Sequence, residues 1–275
     1  MNSIINPHKM KKVSIISFCV LIAISTYAQG DHLAIHQATD VETKAIAVLW
    51  QQTAAEYRAL CYQAYNLAAL RISQIPKKDY RKNKLAIITD LDETILDNSY
   101  ASAQLMKDGN EFTPQNWNAW LDKSAATGVP GAVEFLKYAK TKGISIFYIS
   151  NRDTTANQST LMNLQKLNLP DADAAHLLLL TTTSSKEARR NKIEANYKVV
   201  MLMGDNLNDF TKAFEKKSIA DRFAETDKVK TEWGNKFIVL PNSSYGEWEN
   251  ALYNYKYNLS PYQKETIRIQ KLVGY

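Results

Sequence analysis

Asp90 and Asp92 stand two residues apart in the segment Asp90-Leu91-Asp92-Glu93-Thr94, directly after an apolar run. A carboxylate so placed can attack phosphorus and carry it as an aspartyl-phosphate. A second carboxyl two residues on can protonate a leaving alkoxide and later activate water. Three further polar clusters follow apolar runs: Ser150-Asn151-Arg152, a stretch leading to Lys186, and Gly204-Asp205-Asn206-Leu207-Asn208-Asp209. Ser150 and Lys186 would hold the equatorial oxygens of a phosphoryl group, where transition-state charge is spread, and Asn151 joins them as a phosphate-binding candidate. The carboxylates would repel one another and a phosphate. A hard divalent cation resolves that conflict, and Mg²⁺ is satisfied by one or two carboxylates, waters and phosphate oxygens.

Each cluster alone is a common turn or loop. Their placement matters more than their composition. Five short, continuously apolar runs occupy residues 85–88, 144–149, 177–180, 199–203 and 237–240. Such runs suit central parallel strands buried on both faces. Helical patterns lie between them, marked by Val133, Leu136 and Ala139, by Leu161 and Leu164, and by Ile193. The alternation predicts an α/β fold, a Rossmann-like parallel sheet with helices on both faces and right-handed crossovers. Ligands bind such sheets outside the carboxyl ends of the strands, which is where the polar clusters fall.

Residues 32–72 carry apolar positions at three- and four-residue spacing with no Pro or Gly, which predicts helix. Near the C-terminus, Ser260, Pro261 and Gln263 predict a capped helix start. Aromatic residues flank the predicted site. Tyr100, Trp117 and Trp120 lie between the first two motifs, and Tyr245 and Trp248 follow the last strand. Tyr100 and Tyr245, with Trp117 next, are candidates to sandwich a flat base, since stacking tolerates any base.

The run from Ile88 through Asp90-Leu91-Asp92-Glu93-Thr94 to Ser99 resembles the first motif of the haloacid dehalogenase superfamily, in the form used by class C bacterial acid phosphatases and outer-membrane lipoprotein 5′-nucleotidases. Ile149-Ser150-Asn151-Arg152, Ser184-Ser185-Lys186-Glu187 and Gly204-Asp205-Asn206-Leu207-Asn208-Asp209-Phe210 are similar to its later motifs, in order. Pro241-Asn242-Ser243-Ser244-Tyr245-Gly246-Glu247-Trp248 is similar to the family's C-terminal signature. The resemblance runs from about Trp50 onward. It implies a smaller, mainly helical domain over the site. It also implies magnesium held by the Asp90 and Asp205 side chains and the Asp92 carbonyl, with Asp92 as general acid and base. Acid phosphatase and nucleotidase activity on small phosphomonoesters, often in a homodimer, is the implied function. The expected division is a leader at 1–28, a helical segment of the smaller domain at 29–83, and a catalytic core at 84–275 with a cap insertion at about 98–130. Asp209 has no assigned role beyond supporting the metal site.

Composition adds limits. Of 275 residues, 45% are aliphatic or aromatic and 23% charged, an ordinary globular balance. Lys9, Lys11 and Lys12 precede a short apolar run that ends at Thr26-Tyr27-Ala28, the pattern of a secretory leader cleaved after Ala28. Export to the periplasm, outer membrane or cell surface is the expectation, with peripheral membrane association. Lipid attachment at Cys19 is disfavoured, because Phe18 is not small. Beyond the leader the chain carries 31 basic and 28 acidic residues, so no nucleic acid polymer is called for. Cys61 is then the remaining cysteine, and no internal disulfide can form. A dehalogenase has no use for Asp92. A surface nucleotide-binding module without turnover stays open as an alternative.

Overall fold

The structure, a computed structural model, describes residues 40–275. The leader, the Ala28 cleavage point and Cys19 lie outside the described residues. The expected single helix over 32–72 is, within the described part, two helices, α1 (Asp40–Thr53) and α2 (Ala55–Ser73). Ala54 breaks them with extended backbone, ψ 125°. Neither Pro nor Gly marks that break, so periodicity alone runs through it. Past the break, Tyr57, Cys61, Tyr65, Ala68 and Ile72 recur at helical spacing on one buried face. A short helix α3 (Lys77–Lys82) leads to the first strand.

All five predicted strands form: β1 (Leu85–Thr89), then β4 (Ser145–Asp153), β5 (Leu177–Leu180), β6 (Lys198–Gly204) and β7 (Phe237–Val239). They make one parallel sheet in the order β5-β4-β1-β6-β7. Successive side chains of β1 go to opposite faces. Leu85 and Ile87 meet α2, α6 (Ala132–Thr141) and α7 (Asn157–Lys166), while Ala86 and Ile88 meet Ile193 of α8 (Glu187–Glu194), Phe210 and Trp233. Two covered faces explain why the strands read as continuous apolar runs. Each large aliphatic side chain so buried contributes about 1.5–3 kcal/mol.

The chain leaves β1 on one side for β4 and β5, then returns to place β6 and β7 on the other. The crevice at this reversal, beside the carboxyl end of β1, is where such sheets bind ligands. Between β1 and β4 the chain makes an excursion over that crevice. A two-stranded antiparallel ribbon, β2 (Leu96–Asp97) with β3 (Thr127–Gly128), pins its entry to its exit. The enclosed helices are α4 (Ser99–Lys107) and α5 (Pro114–Leu121), the latter capped by the Thr113 hydroxyl accepting the Asn116 N–H. The ribbon is too short to announce itself by alternation.

The helices before residue 83 pack in two different places. Tyr57, Cys61, Tyr65, Ala68 and Ile72 of α2 share one apolar cluster with Leu85, Ile87 and Leu136, so α2 is built into the core. It is α1 that reaches the excursion, where Gln51 Nε2 donates to Asp97 and Gln52 Nε2 to Ser99. The remaining helices are α9 (Ile219–Lys228), α10 (Glu247–Leu252) and α11 (Pro261–Lys271), the last with the predicted Ser260/Gln263 capping box.

Candidate active site

Asp90 continues the ladder past β1, its N–H donating to Met203 O of β6 at 2.9 Å. The next residues form a tight loop in which the Leu91 carbonyl accepts N–H groups of Thr94, Ile95 and Leu96. Leu91, Ile95 and Leu96 are fully buried and anchor it. The polar side chains of this loop are thereby turned toward the crevice.

β4 ends in a register irregularity between Ile149 and Asp153. Ser150-Asn151-Arg152, expected as loop, belongs to this strand end. Ser150 and Arg152 point inward and Asn151 outward. Arg152 is nearly fully buried and grips Asp92, with Nε 3.0 Å and Nη2 2.7 Å from Oδ1. Asn98 Nδ2 and Ser150 Oγ also donate to the Asp92 carboxylate, at 2.9 and 3.2 Å. Asn98 in turn accepts the indole N–H of Trp120 at 2.8 Å, which ties the excursion to Asp92.

β6 delivers Asp205 and, one turn later, Asp209. A Cβ at Gly204 would lie 2.3 Å from Asp209 Oδ2, so only glycine lets that carboxylate fold back over the strand end. Asp209 also accepts the Asn206 N–H at 3.0 Å. Carboxylate oxygens of Asp90, Asp205 and Asp209 lie within 4.8 Å of one another. Lys186, buried at the head of α8, pairs with Asp90 and with Asp209, the latter at 2.6 Å. Asn242 Nδ2 donates to Asp205 at 2.7 Å.

Electrostatics follows from this crowding. Burial pushes the Asp90 carboxyl up to about 7; Lys186 opposes, while Asp209 and Asp92 add to the rise. Asp205 is raised well above the carboxylate range by burial and by the Asp209 and Asp90 charges. Burial acts to lower Lys186, yet the adjoining Asp209 and Asp90 carboxylates hold it above its ordinary value. Against Asp90, Asp92, Asp205 and Asp209 stand the cations Lys186 and Arg152. With all four carboxylates ionised the balance is negative, at a place where the clustered donor atoms are hard oxygens.

These groups form the floor of a cavity of about 610 Å³. Asp90, Asp92, Lys186, Asp205, Asn151, Trp117 and Tyr245 all border it, as do Asp209, Arg152 and Phe112. Two sequence-selected residues do not. Ser150 is fully buried behind Asp92, and its hydroxyl is shared between the Asp92 carboxylate and the Arg152 N–H. Tyr100 lies on α4 with 52% of its surface exposed, while Ala101, Leu105 and Met106 of the same helix face the cavity. Helical phase, not sequence distance from the motif, decides this. Asn151 spends its amide on Ser184 O and accepts from Arg189, which also holds Ser150 O at 2.7 Å.

Sequence reasoning assigned no role to Arg152, Phe112 or Asn98 and no definite one to Asp209. Arg152 and Asp209 stood inside the quoted motifs, and their buried charge was the missing signal. Phe112 pairs with Trp117, ring centroids 6.2 Å apart, and the Arg152 guanidinium lies 5.8 Å from the other ring system's centre, that of Trp117.

Comparison with known proteins agrees with this arrangement. The family model for the HAD superfamily, subfamily IIIB (acid phosphatase), matches residues 16–248. The class C acid phosphatase from Bacillus anthracis is 40% identical, with a TM-score of 0.81; the match covers 86% of this chain and 99% of that one. A crystal structure of the Bacillus anthracis class C acid phosphatase with tungstate bound matches at 39% identity and a TM-score of 0.80, over 86% of this chain and 98% of that one. The chain therefore belongs to the acid phosphatases of HAD subfamily IIIB and is a phosphomonoester hydrolase.

Proposed function

We propose that this phosphatase is a magnesium-dependent, exported acid phosphatase and 5′-nucleotidase, acting on small phosphomonoesters through an aspartyl-phosphate on Asp90. The observation that carries the proposal is the cluster of Asp90, Asp205 and Asp209 oxygens at the floor of an aromatic-walled cavity. An all-oxygen, carboxylate donor set fits a hard divalent cation. Asp90 and Asp205 would hold Mg²⁺, with the Asp92 carbonyl as the third protein ligand and Asp209 alongside. When bound, the ion supplies neutralising charge for the substrate phosphate.

The remaining chemistry belongs to the chain. An Asp90 oxygen attacks phosphorus, and the bond from phosphorus to the leaving oxygen breaks. Asp92 gives that oxygen its proton, so the alcohol departs neutral. Asp92 then takes a proton from water as the water oxygen bonds to phosphorus, which frees inorganic phosphate and restores Asp90. Lys186 offsets charge on the phosphoryl oxygens, and Asn151 stands at the rim. Tungstate, present in the similar Bacillus anthracis structure, is an oxyanion of the kind such a floor suits. Tyr245 and Trp117 on the cavity wall favour a flat leaving group.

Residues 1–28 support export to the periplasm or outer membrane surface, with homodimer formation and peripheral membrane association as part of the same proposal. The test is phosphate release from adenosine monophosphate and from glycerol phosphate, with Mg²⁺ and with EDTA. Release from the nucleotide that stops with EDTA and returns with Mg²⁺ is expected. Full activity in a metal-stripped sample would sink the metal assignment. Fractionation of the expressing cell and the mass of the mature N-terminus check export and cleavage after Ala28.

A further inference from the structure

Glu93 lies inside the first motif yet has no part in the reaction as derived. It is 1% exposed. Its backbone sits in the left-handed region, φ 57°, where a side chain is strained relative to glycine. The loop enforces this through the Glu93 N–H bond to Leu96 O at 2.8 Å. A strained, buried glutamate persists where its side chain has work that glycine could not do. Both carboxylate oxygens are engaged. Oε1 accepts the Asn98 N–H at 2.8 Å, and Oε2 accepts the hydroxyl of Tyr245.

Tyr245 comes from the far end of the chain, after β7. Its hydroxyl end is buried on Glu93, while 38% of the residue remains exposed and its ring borders the cavity. That hydrogen bond ties the hydroxyl end of the ring to the loop after β1. One residue thus links the loop that carries Asp90 and Asp92 to the wall that faces the leaving group.

We propose that Glu93 is a positioning residue for the leaving group: it anchors the Tyr245 hydroxyl and so fixes the ring as a preformed wall for flat, aromatic leaving groups. The inference rests on the reading of the cavity as the leaving-group pocket. A fixed ring needs no ordering when substrate arrives, so the anchor should appear in KM for aromatic substrates.

The test compares adenosine monophosphate with glycerol phosphate in Tyr245→Phe, Glu93→Gln and Glu93→Ala. Tyr245→Phe keeps the ring and removes the anchor. KM for the nucleotide should rise about five- to tenfold more than KM for glycerol phosphate, the scale of one lost hydrogen bond. Glu93→Gln can still accept from Asn98 and donate to the Tyr245 oxygen, so it should retain most of the nucleotide preference. Glu93→Ala should lose it, and adding Tyr245→Phe to Glu93→Ala should cost nothing more. If Glu93→Ala fails to fold, Tyr245→Phe and Glu93→Gln decide alone. Wild-type KM in Tyr245→Phe, or equal losses on both substrates, overturns the anchor. A Tyr245→Leu variant separates the two ideas. If Tyr245→Leu loses the nucleotide preference and Tyr245→Phe keeps it, the pocket reading stands and the anchor falls. If wild-type enzyme shows no preference for the nucleotide, the pocket reading itself has failed.

Discussion

Arg152 holds Asp92 through two nitrogens, Nε at 3.0 Å and Nη2 at 2.7 Å from the same oxygen, while its Nη1 donates to Thr160 Oγ1 at 3.1 Å. The guanidinium is buried, so the pair is shielded from solvent and its geometry is fixed. Asp92 is therefore oriented from behind, by a residue two positions past Ser150 on a neighbouring strand.

That orientation should matter most where a proton must be delivered. Arg152→Lys removes the fork but keeps a charge. We expect kcat/KM for glycerol phosphate, whose alkoxide is a poor leaving group, to fall about 10²-fold or more. p-Nitrophenyl phosphate leaves without a proton and should lose much less. Equal losses on the two esters, measured side by side, would show that Arg152 serves folding or phosphate binding instead.

The proposed attack by Asp90 on phosphorus is tested by Asp90→Asn. The amide keeps the shape but cannot form the acyl phosphate, and turnover should fall at least about a thousandfold. Circular dichroism should report an unchanged fold. Retention of near wild-type turnover by a folded variant would rule out the covalent route.

Most of the cavity floor was legible in the sequence. The five strands are strong signals because both faces of the sheet are covered, and polar clusters after their carboxyl ends fall on one edge by topology alone. Asp90, Asp92, Lys186 and Asp205 all reach the cavity for that reason. What escaped was set by contacts between distant segments. The break at Ala54 has no breaker residue. The β2–β3 ribbon is held by tertiary position rather than by pattern. Tyr100 misses the cavity by a rotation about α4, which spacing from the motif does not encode. Arg152 and Glu93 carry charges whose meaning depends on partners at Asp92 and Tyr245.

Asp209 earns its own test, because it meets both Lys186 and the Asp90–Asp205 pair. Asp205→Asn and Asp209→Asn should each raise the Mg²⁺ concentration for half-maximal activity, by about tenfold or more. A titration of activity against Mg²⁺ in each variant reads this directly. An unchanged metal requirement in both would remove the cluster as the metal site.

The metal-free protein should also show its carboxylates in its stability. Burial raises Asp90 from 3.8 to about 7 and Glu93 from 4.5 to about 8. Between the unfolded and folded values the native state binds the extra protons. Their contribution to stability is then fully present below about pH 4 and is lost as pH rises through about 7 and 8. Tm of the chelated protein should fall over that interval. Mg²⁺ binding should displace protons there, detectable with an indicator dye in weak buffer, and should restore Tm on the alkaline side. A chelated protein whose Tm rises steadily from pH 4 to 8 would contradict the burial of these carboxylates.

The aromatic wall gives the last prediction. Trp117 lies on α5 with Phe112 beside it, and Tyr245 borders the same cavity from the loop after β7. Tyr100 is turned outward. Replacing Trp117 by Leu should weaken turnover of adenosine monophosphate more than that of glycerol phosphate, by about five- to a hundredfold, since a stacked base contributes about 1–3 kcal/mol. Tyr100→Leu should leave the ratio of the two unchanged. The pair is informative because both residues sit in the same excursion over the site and differ in which way they face. If Tyr100→Leu shifts the ratio and Trp117→Leu does not, the base lies along α4 rather than against α5. Equal loss of both substrates in Trp117→Leu would instead assign that ring to packing over the Arg152 guanidinium, 5.8 Å away.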